Sequence, residues 1–306
     1  MKSRSSSSIA YTDKIIEFMK SREGIVDIEE LQSLFKVTKA TLKIKLKQAM
    51  REDKTLQGRI ACVFPDTESI IDEAEACIGK IIGENLVHAN MKCRSMVDTW
   101  SEAFAEHFCK SILRSYINNE TGDIIISIDK IFNTLLQPYE KYLSQRDNSL
   151  VSIAGTINQS LLIRALKNSG LSDQGEAPQF KETGNKSKGD IHIYFYGSRG
   201  HITLSVEAKS YAARERLIRG LTDIPFPKVG VGFFTNALEF GKDRVTQMAT
   251  IAQVSALYMP YATYKALTEG AKAVAHSETG RICRSLESDF IQDMKAFVKN
   301  GLIQYK

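Results

Sequence analysis

Residues 189–209 constrain the chain more than any other stretch. After Gly189-Asp190 comes Ile191-His192-Ile193-Tyr194-Phe195-Tyr196, in which apolar and polar side chains alternate strictly. A period of two is that of a strand with one covered face. It places Ile191, Ile193 and Phe195 on one side and Asp190, His192, Tyr194 and Tyr196 on the other. Gly197-Ser198-Arg199-Gly200 reads as a turn. Alternation then resumes over 201–209, with Ile202, Leu204, Val206 and Ala208 set against Thr203, Ser205, Glu207 and Lys209. Two such runs joined by a glycine-bearing turn predict an antiparallel hairpin. Glu207 and Lys209 share its polar face, about 6.5–7 Å apart along the strand. If the polar faces of the two strands coincide, Asp190 joins them.

The flanking sequence predicts an α/β domain with a mixed central sheet between helices. A helix is expected over 150–171, buried through Ile153, Ile157, Leu161-Leu162 and Ala165-Leu166 and ended by Gly170. A polar loop, 172–188, leads into the hairpin. After it come a basic helix over 210–221 (Arg214, Arg216, Arg219), a buried-type strand over 229–235, a helix over 244–253 and a short strand over 256–259. The amphipathic segment beyond Gly270, with Phe290, Met294 and Phe297, is expected to pack on the core or on a second subunit.

Two carboxylates and a lysine at adjoining strand ends suit attack on a phosphodiester. That reaction needs a nucleophile, neutralisation of charge on the pentavalent phosphorus and help for the departing oxygen. Asp190 and Glu207 can hold Mg²⁺, which keeps several waters and binds through one or two carboxylates plus substrate phosphate. The Ala208 carbonyl, between the two side chains of β-residues 207 and 209, is a further ligand in this reading. Lys209 would orient or deprotonate water, or stabilise the transition state. As a bare pattern an Asp followed by Glu-x-Lys is weak, and a surface hairpin is the bland alternative; the order helix, hairpin, helix, strand, helix, strand gives it context.

In these residues 150–260 resemble the PD-(D/E)XK nuclease core, with spacing similar to that of type II restriction endonucleases. Asp190 matches the first acid of the motif, Glu207 the second and Lys209 the lysine. The resemblance implies Mg²⁺, hydrolysis leaving 5′-phosphates, double-stranded DNA as substrate and a homodimer, with a monomer the alternative. Gly189 stands where the family's nominal proline would be. Where many members carry a glutamate on the preceding helix, this chain has Asn158-Gln159, so either Gln159 or Glu182 is left to complete the metal site. His192 shares the face of Asp190 and either touches substrate or covers the sheet.

The first 65 residues read as a separate module. A short amphipathic helix over 11–20 precedes Asp27-Ile28-Glu29-Glu30, an N-cap with Glu at the third helical position. Thr38 caps a second helix in which Leu42, Leu46 and Ala49-Met50 face inward. This is the order of a helix-turn-helix. Lys39, Lys43 and Lys47 recur every four residues on the face opposite the leucines, either a solvated face or one for phosphate. Residues 56–64 read as a strand with a turn at Gly58. The pattern resembles a winged-helix domain in which Arg59 touches backbone phosphate; Arg214 and Arg216 are the matching candidates in the core.

Residues 66–148 form a helical middle segment whose apolar stripes, including Ile128, Ile131-Phe132 and Leu135-Leu136, read as core, and Asp147-Asn148 as a boundary to the nuclease part at 149–306. The net charge of +5 suits a polyanion partner without requiring one. Five cysteines in no C-x-x-C spacing favour neither zinc nor disulfides and read as reduced, mostly buried thiols of a cytoplasmic protein. No run is long and apolar enough for a membrane helix. The serine-rich start, residues 5–8, reads as a disordered tail, with Lys2 and Arg4 a minor-groove arm at most. The leading expectation is a site-specific DNA endonuclease. A repair or structure-specific nuclease of the same core, and a non-catalytic winged-helix regulator, stand as alternatives.

Overall fold

The computed structural model describes residues 6–118, 120–183, 189–198, 200–209 and 214–303, with every side chain among them except those of 6–10, 145 and 214–216. They divide into two compact units, Met1–Ile70 with Arg94–Ser152, and Ile71–Cys93 with Ile153–Lys306. The expected helical middle is therefore shared between the two units. Among the described residues no helix is long and apolar enough to cross a membrane.

The first unit opens with helices α1 (Ser6–Lys20), α2 (Ile28–Phe35) and α3 (Lys39–Glu52). The serines from Ser6 on thus belong to a helix rather than a tail, while Lys2 and Arg4 lie outside the described residues. Ile15, Met19, Leu31, Leu42, Leu46 and Met50 are wholly buried at helical spacing, which drives the three helices together. Lys36 in the left-handed region (φ 52°) breaks the chain, and Thr38 Oγ1 accepts the Thr41 N–H at 3.3 Å to start α3 as expected. Asp27 differs from expectation. It precedes α2 with extended backbone, but its side chain makes no cap; its Oδ1 lies 3.1 Å from His107 Nε2.

The strand expected over 56–64 does not form. A 3₁₀ turn (Lys54–Leu56) and a tight turn at Gly58 (φ 73°) leave a single bridge, Ile60 to Val26. The indole of Trp100 sits where a Gly58 side chain would stand, so the segment is shaped by tertiary packing and not by its own apolar run.

The chain continues through α4 (Thr67–Ile78), α5 (Leu86–Leu113), α6 (Ile128–Ile131) and α7 (Gln137–Asn168), with a π-helical turn at Phe132–Leu136 before α7. Helix α7 runs unbroken through Asp147-Asn148, the expected boundary. The stripe read as core around Ile128 is instead exposed: Ile128 by 86%, Phe132 by 56% and Leu136 by 45%. All five cysteines are free, and two, Cys62 and Cys77, are exposed rather than buried.

The second unit is α/β. Strands β1 (Phe180–Glu182), β2 (Ile191–Gly197), β3 (Gly200–Lys209), β4 (Lys228–Gly232), β5 (Ala256–Met259) and β8 (Cys283–Ser285) form one mixed sheet in the order β1-β2-β3-β4-β5-β8. The pairs β1-β2 and β2-β3 are antiparallel; β3-β4, β4-β5 and β5-β8 are parallel. Helices α8 (Arg214–Thr222) and α9 (Lys242–Thr250) make the crossovers, followed by α10 (Tyr261–Ala266), α11 (Glu269–Lys272), a small ribbon of β6 (Ala275–His276) with β7 (Gly280–Arg281), and α12 (Phe290–Asn300). Leu217 and Leu221 of α8 join Val245 and Met248 of α9 and Leu257 of β5 in one apolar cluster. Strands β1 and β8 were not expected. Three residues are too short a run to show a period.

Candidate active site

The hairpin brings the three sequence candidates together. Its register pairs Ile191 with Val206, Ile193 with Leu204, His192 with Ser205 and Tyr194 with Thr203, so apolar faces and polar faces coincide. Asp190 lies one residue before that ladder. Its N–H donates to the Val206 carbonyl at 2.8 Å, and its Oδ2 accepts the Ala208 N–H at 2.7 Å. Lys209 Nζ donates to Glu207 Oε1. The arrangement depends on Gly189, whose φ of +89° admits neither the proline of the resembled motif nor any unstrained side chain.

Glu207 is 93% buried although it sits on the polar face, because α8 covers it. A Cβ added to Gly220 of α8 would stand 2.6 Å from Glu207 Oε1. Burial pushes the Glu207 carboxyl above its ordinary range; the Lys209 hydrogen bond opposes this, and the charge of Asp190 adds to it. With a folded value above the unfolded one, this group favours folding on the acid side, and its contribution declines as pH rises through the raised value. A buried acid pressed toward neutrality beside a second acid is a group that gains from a cation.

Helix α7 grips the backbone of both strand ends. Gln159 Nε2 donates to the Asp190 carbonyl at 3.3 Å and to Glu182 Oε1 at 3.1 Å. Asn158 Nδ2 reaches the Lys209 carbonyl at 3.4 Å, and Asn158 Oδ1 accepts from Asn90 Nδ2 at 2.7 Å, both asparagines being buried. The sequence reading set Gln159, or Glu182, in the place of a missing metal-site acid; the structure instead has the Asn158 and Gln159 amides donating to the carbonyls of the strand ends, with Gln159 also holding Glu182. Glu182 is exposed and held by Gln159. Among the described residues no group of three or more His, Cys, Asp or Glu gathers closely enough to hold a metal ion. Asp190 and Glu207 are two acids only, so a Mg²⁺ ion placed between them would keep several waters and would not sit in a dry all-protein cage.

The basic candidates are placed unevenly. Lys39, Lys43 and Lys47 are all exposed on α3, but Lys39 Nζ pairs with Glu29 Oε1 at 2.6 Å. Arg59 donates through Nε to the Gly24 carbonyl at 3.3 Å and through Nη2 to the Arg22 carbonyl, fastening the loop before α2. Arg214 and Arg216 start α8, and their side chains lie outside the described residues; Arg219 is exposed.

Gly220 is the functional candidate that sequence reasoning missed. Its signal was there, since a glycine inside a helix costs roughly 1 kcal/mol against alanine and so marks a close approach. Gly220→Ala is expected to leave the melting temperature unchanged or higher, because only the carboxylate end of the Glu207 side chain must yield, yet to lower DNA cleavage at least tenfold. Calorimetry and a plasmid cleavage assay on one preparation check this; full activity in the variant would show that the carboxylate need not be held in place.

No family model, no curated protein and no solved structure matches this chain.

Proposed function

We propose that the chain is a Mg²⁺-dependent endonuclease acting site-specifically on double-stranded DNA, of the type II restriction kind, with a PD-(D/E)XK-like core. The observation that carries this reading is the meeting of Asp190, Glu207 and Lys209 on one hairpin end, with Glu207 buried under α8 and bonded to Lys209. The mixed sheet, with α7 before it and α8 and α9 as crossovers, supplies the order of elements the resemblance implies.

Asp190, Glu207 and the Ala208 carbonyl would hold the ion, which when bound polarises a phosphoryl oxygen and acidifies water. Lys209 then has two tasks. Released from Glu207, its ammonium orients the attacking water and offsets charge growing on the phosphate. The N–H of Ala208 keeps Asp190 in one rotamer. Lys43 and Lys47, with Arg214, Arg216 and Arg219, are the proposed phosphate contacts, and the helix-turn-helix order of α2 and α3 supports a DNA-binding module of winged-helix type. A homodimer would place two such sites on opposite strands, and the exposed apolar row Ile128, Phe132 and Leu136 is a surface a second copy could cover.

The test is incubation of the purified protein with plasmid and phage DNA, with and without Mg²⁺. Discrete bands that require Mg²⁺ are the expected result. Nicking without a fixed pattern would point to a structure-specific nuclease, and no cleavage at any DNA would overturn the reading.

A further inference from the structure

Two asparagines interrupt apolar stripes in the second unit. On α5, Asn90 stands among Leu86, Ala89 and Cys93; on α7, Asn158 stands among Ile157, Leu161 and Leu162. All six apolar neighbours are buried, and Asn90 and Asn158 are themselves only 3% and 4% exposed. An amide placed there loses its water and must find partners within the protein. A leucine at either position would make no such demand, so the role of the pair has to be sought in where its hydrogen bonds lead.

They lead to the hairpin. Asn90 Nδ2 donates to Asn158 Oδ1 at 2.7 Å, and Asn158 Nδ2 donates to the Lys209 carbonyl at 3.4 Å. The first bond sets the second. Turned over, Asn158 would hold its amino group against that of Asn90 and its oxygen against the Lys209 carbonyl, two contacts of like with like. With a donor at Asn90, only the orientation that aims an N–H at Lys209 satisfies all three groups.

Lys209 is the last residue of β3, where the ladder ceases to fix the backbone. Its carbonyl sets the plane of the peptide that follows, and its side chain carries the ammonium bonded to Glu207. Ala208, just before it, gives its N–H to Asp190. A bond of 3.4 Å is long and adds little strength; it acts by direction. Direction matters at such a place, because a misplacement of about 1 Å from a change far from the chemistry can cost about a hundredfold in rate.

We infer that Asn90 is a positioning residue for the cleavage reaction, an assignment that rests on the nuclease reading of the hairpin. It lies buried on α5, outside the hairpin, and acts by orienting Asn158, which holds the strand end that carries Lys209.

The test is single-turnover cleavage of plasmid DNA by the full chain with Mg²⁺. The maximal rate and the DNA concentration giving half of it are read beside the melting temperature. Wild type comes first: no cleavage there removes the nuclease reading and this assignment with it. Asn90→Leu is expected to lower the maximal rate at least tenfold, with half-saturation within twofold of wild type. Asn90→Leu combined with Asn158→Leu leaves neither amide unpaired. It is expected to melt above the single variant, since replacing both partners costs less than removing one, and to cleave no faster. A purely structural pair gives the opposite result, a rate that returns with the melting temperature. Where the single variant does not fold, the double variant decides alone.

Asn90→Leu cutting within twofold of wild type overturns the assignment. So does a double variant that regains rate together with stability, or a loss confined to half-saturation. Failure of both variants to fold overturns it too, since the pair would then serve the fold and not the reaction.

Discussion

Lys209→Ala is expected to lower DNA cleavage by ~10²–10³, the loss typical when one preorganised charge aimed at a transition state is removed, while DNA binding stays nearly intact. Asp190→Ala is expected to do the same by a different route. It removes a proposed metal ligand and also the acceptor that the Ala208 N–H uses at 2.7 Å. The two variants separate in their pH dependence. In the wild type Glu207 is raised above the ordinary carboxylate range, chiefly by burial, with Lys209 working against that shift and Asp190 with it. Mg²⁺ binding at the metal-free site would need ionised Glu207, so it should be lost on the acid side at a pH above the ~4.3 of a free glutamate. Losing Lys209 moves that loss further up in pH, whereas losing Asp190 is expected to remove the binding itself. Mg²⁺ supplies a readout independent of activity. At neutral pH it should raise the melting temperature of the wild type as a ligand of the folded state, and should not do so in Asp190→Ala. Unimpaired cutting by both variants would end the assignment of this hairpin as the catalytic centre.

How much of this was legible in sequence depends on how local each cause is. The hairpin could be read because its two alternating runs and intervening glycines lie within twenty residues, and the observed pairing of Ile191 with Val206 and His192 with Ser205 follows from matching faces. The start of α3 was equally local, with Thr38 capping Thr41. The expected wing failed for the opposite reason. Residues 60–64 are a strand-like apolar run, but Trp100, some forty residues on, packs against Gly58, and only the bridge between Ile60 and Val26 forms. Asp27 likewise abandons its helix for His107, eighty residues away. The stripe at Ile128 has helical spacing, yet spacing alone cannot say whether anything covers it. At the site itself, the identities of Asp190, Glu207 and Lys209 were readable. The burial of Glu207 beneath Gly220, and the grip of Asn158 and Gln159 on the strand ends, arise from helix placement that no local pattern encodes.

Arg284→Met is expected to destabilise the sheet-bearing unit by ~3–5 kcal/mol, the cost of leaving one half of a buried ion pair uncompensated. Arginine and aspartate are almost never fully buried unless paired; Arg284 and Asp293 are both buried, at 2% and 0% exposure. Arg284 Nη1 meets Asp293 Oδ2 at 2.6 Å, its Nε donates to the Arg281 carbonyl at 3.1 Å and its Nη2 to the Thr279 carbonyl, while the Tyr258 hydroxyl donates to Asp293 Oδ2 at 2.8 Å. The cluster thus ties β5 and β8 to α12. Helix α12 in turn lays Phe290, Met294 and Phe297 into the core, and Gly301 just beyond it lies so close that a Cβ there would stand 2.7 Å from Phe195 of β2, the strand that follows Asp190. Loosening α12 therefore strips the apolar face of the hairpin whose polar face carries the chemistry, and cleavage should fall in step with stability rather than independently of it. Arg284→Met combined with Asp293→Leu and Tyr258→Phe removes both charges and the hydroxyl that donates to Asp293 at once, and is expected to recover most of the loss, since well-packed apolar replacements of buried ion pairs are often neutral or stabilising. Urea unfolding of the single and triple variants decides the matter. A single variant within about 1 kcal/mol of wild type would mean that water screens the pair as it does at surfaces, and that α12 is held by its apolar face alone.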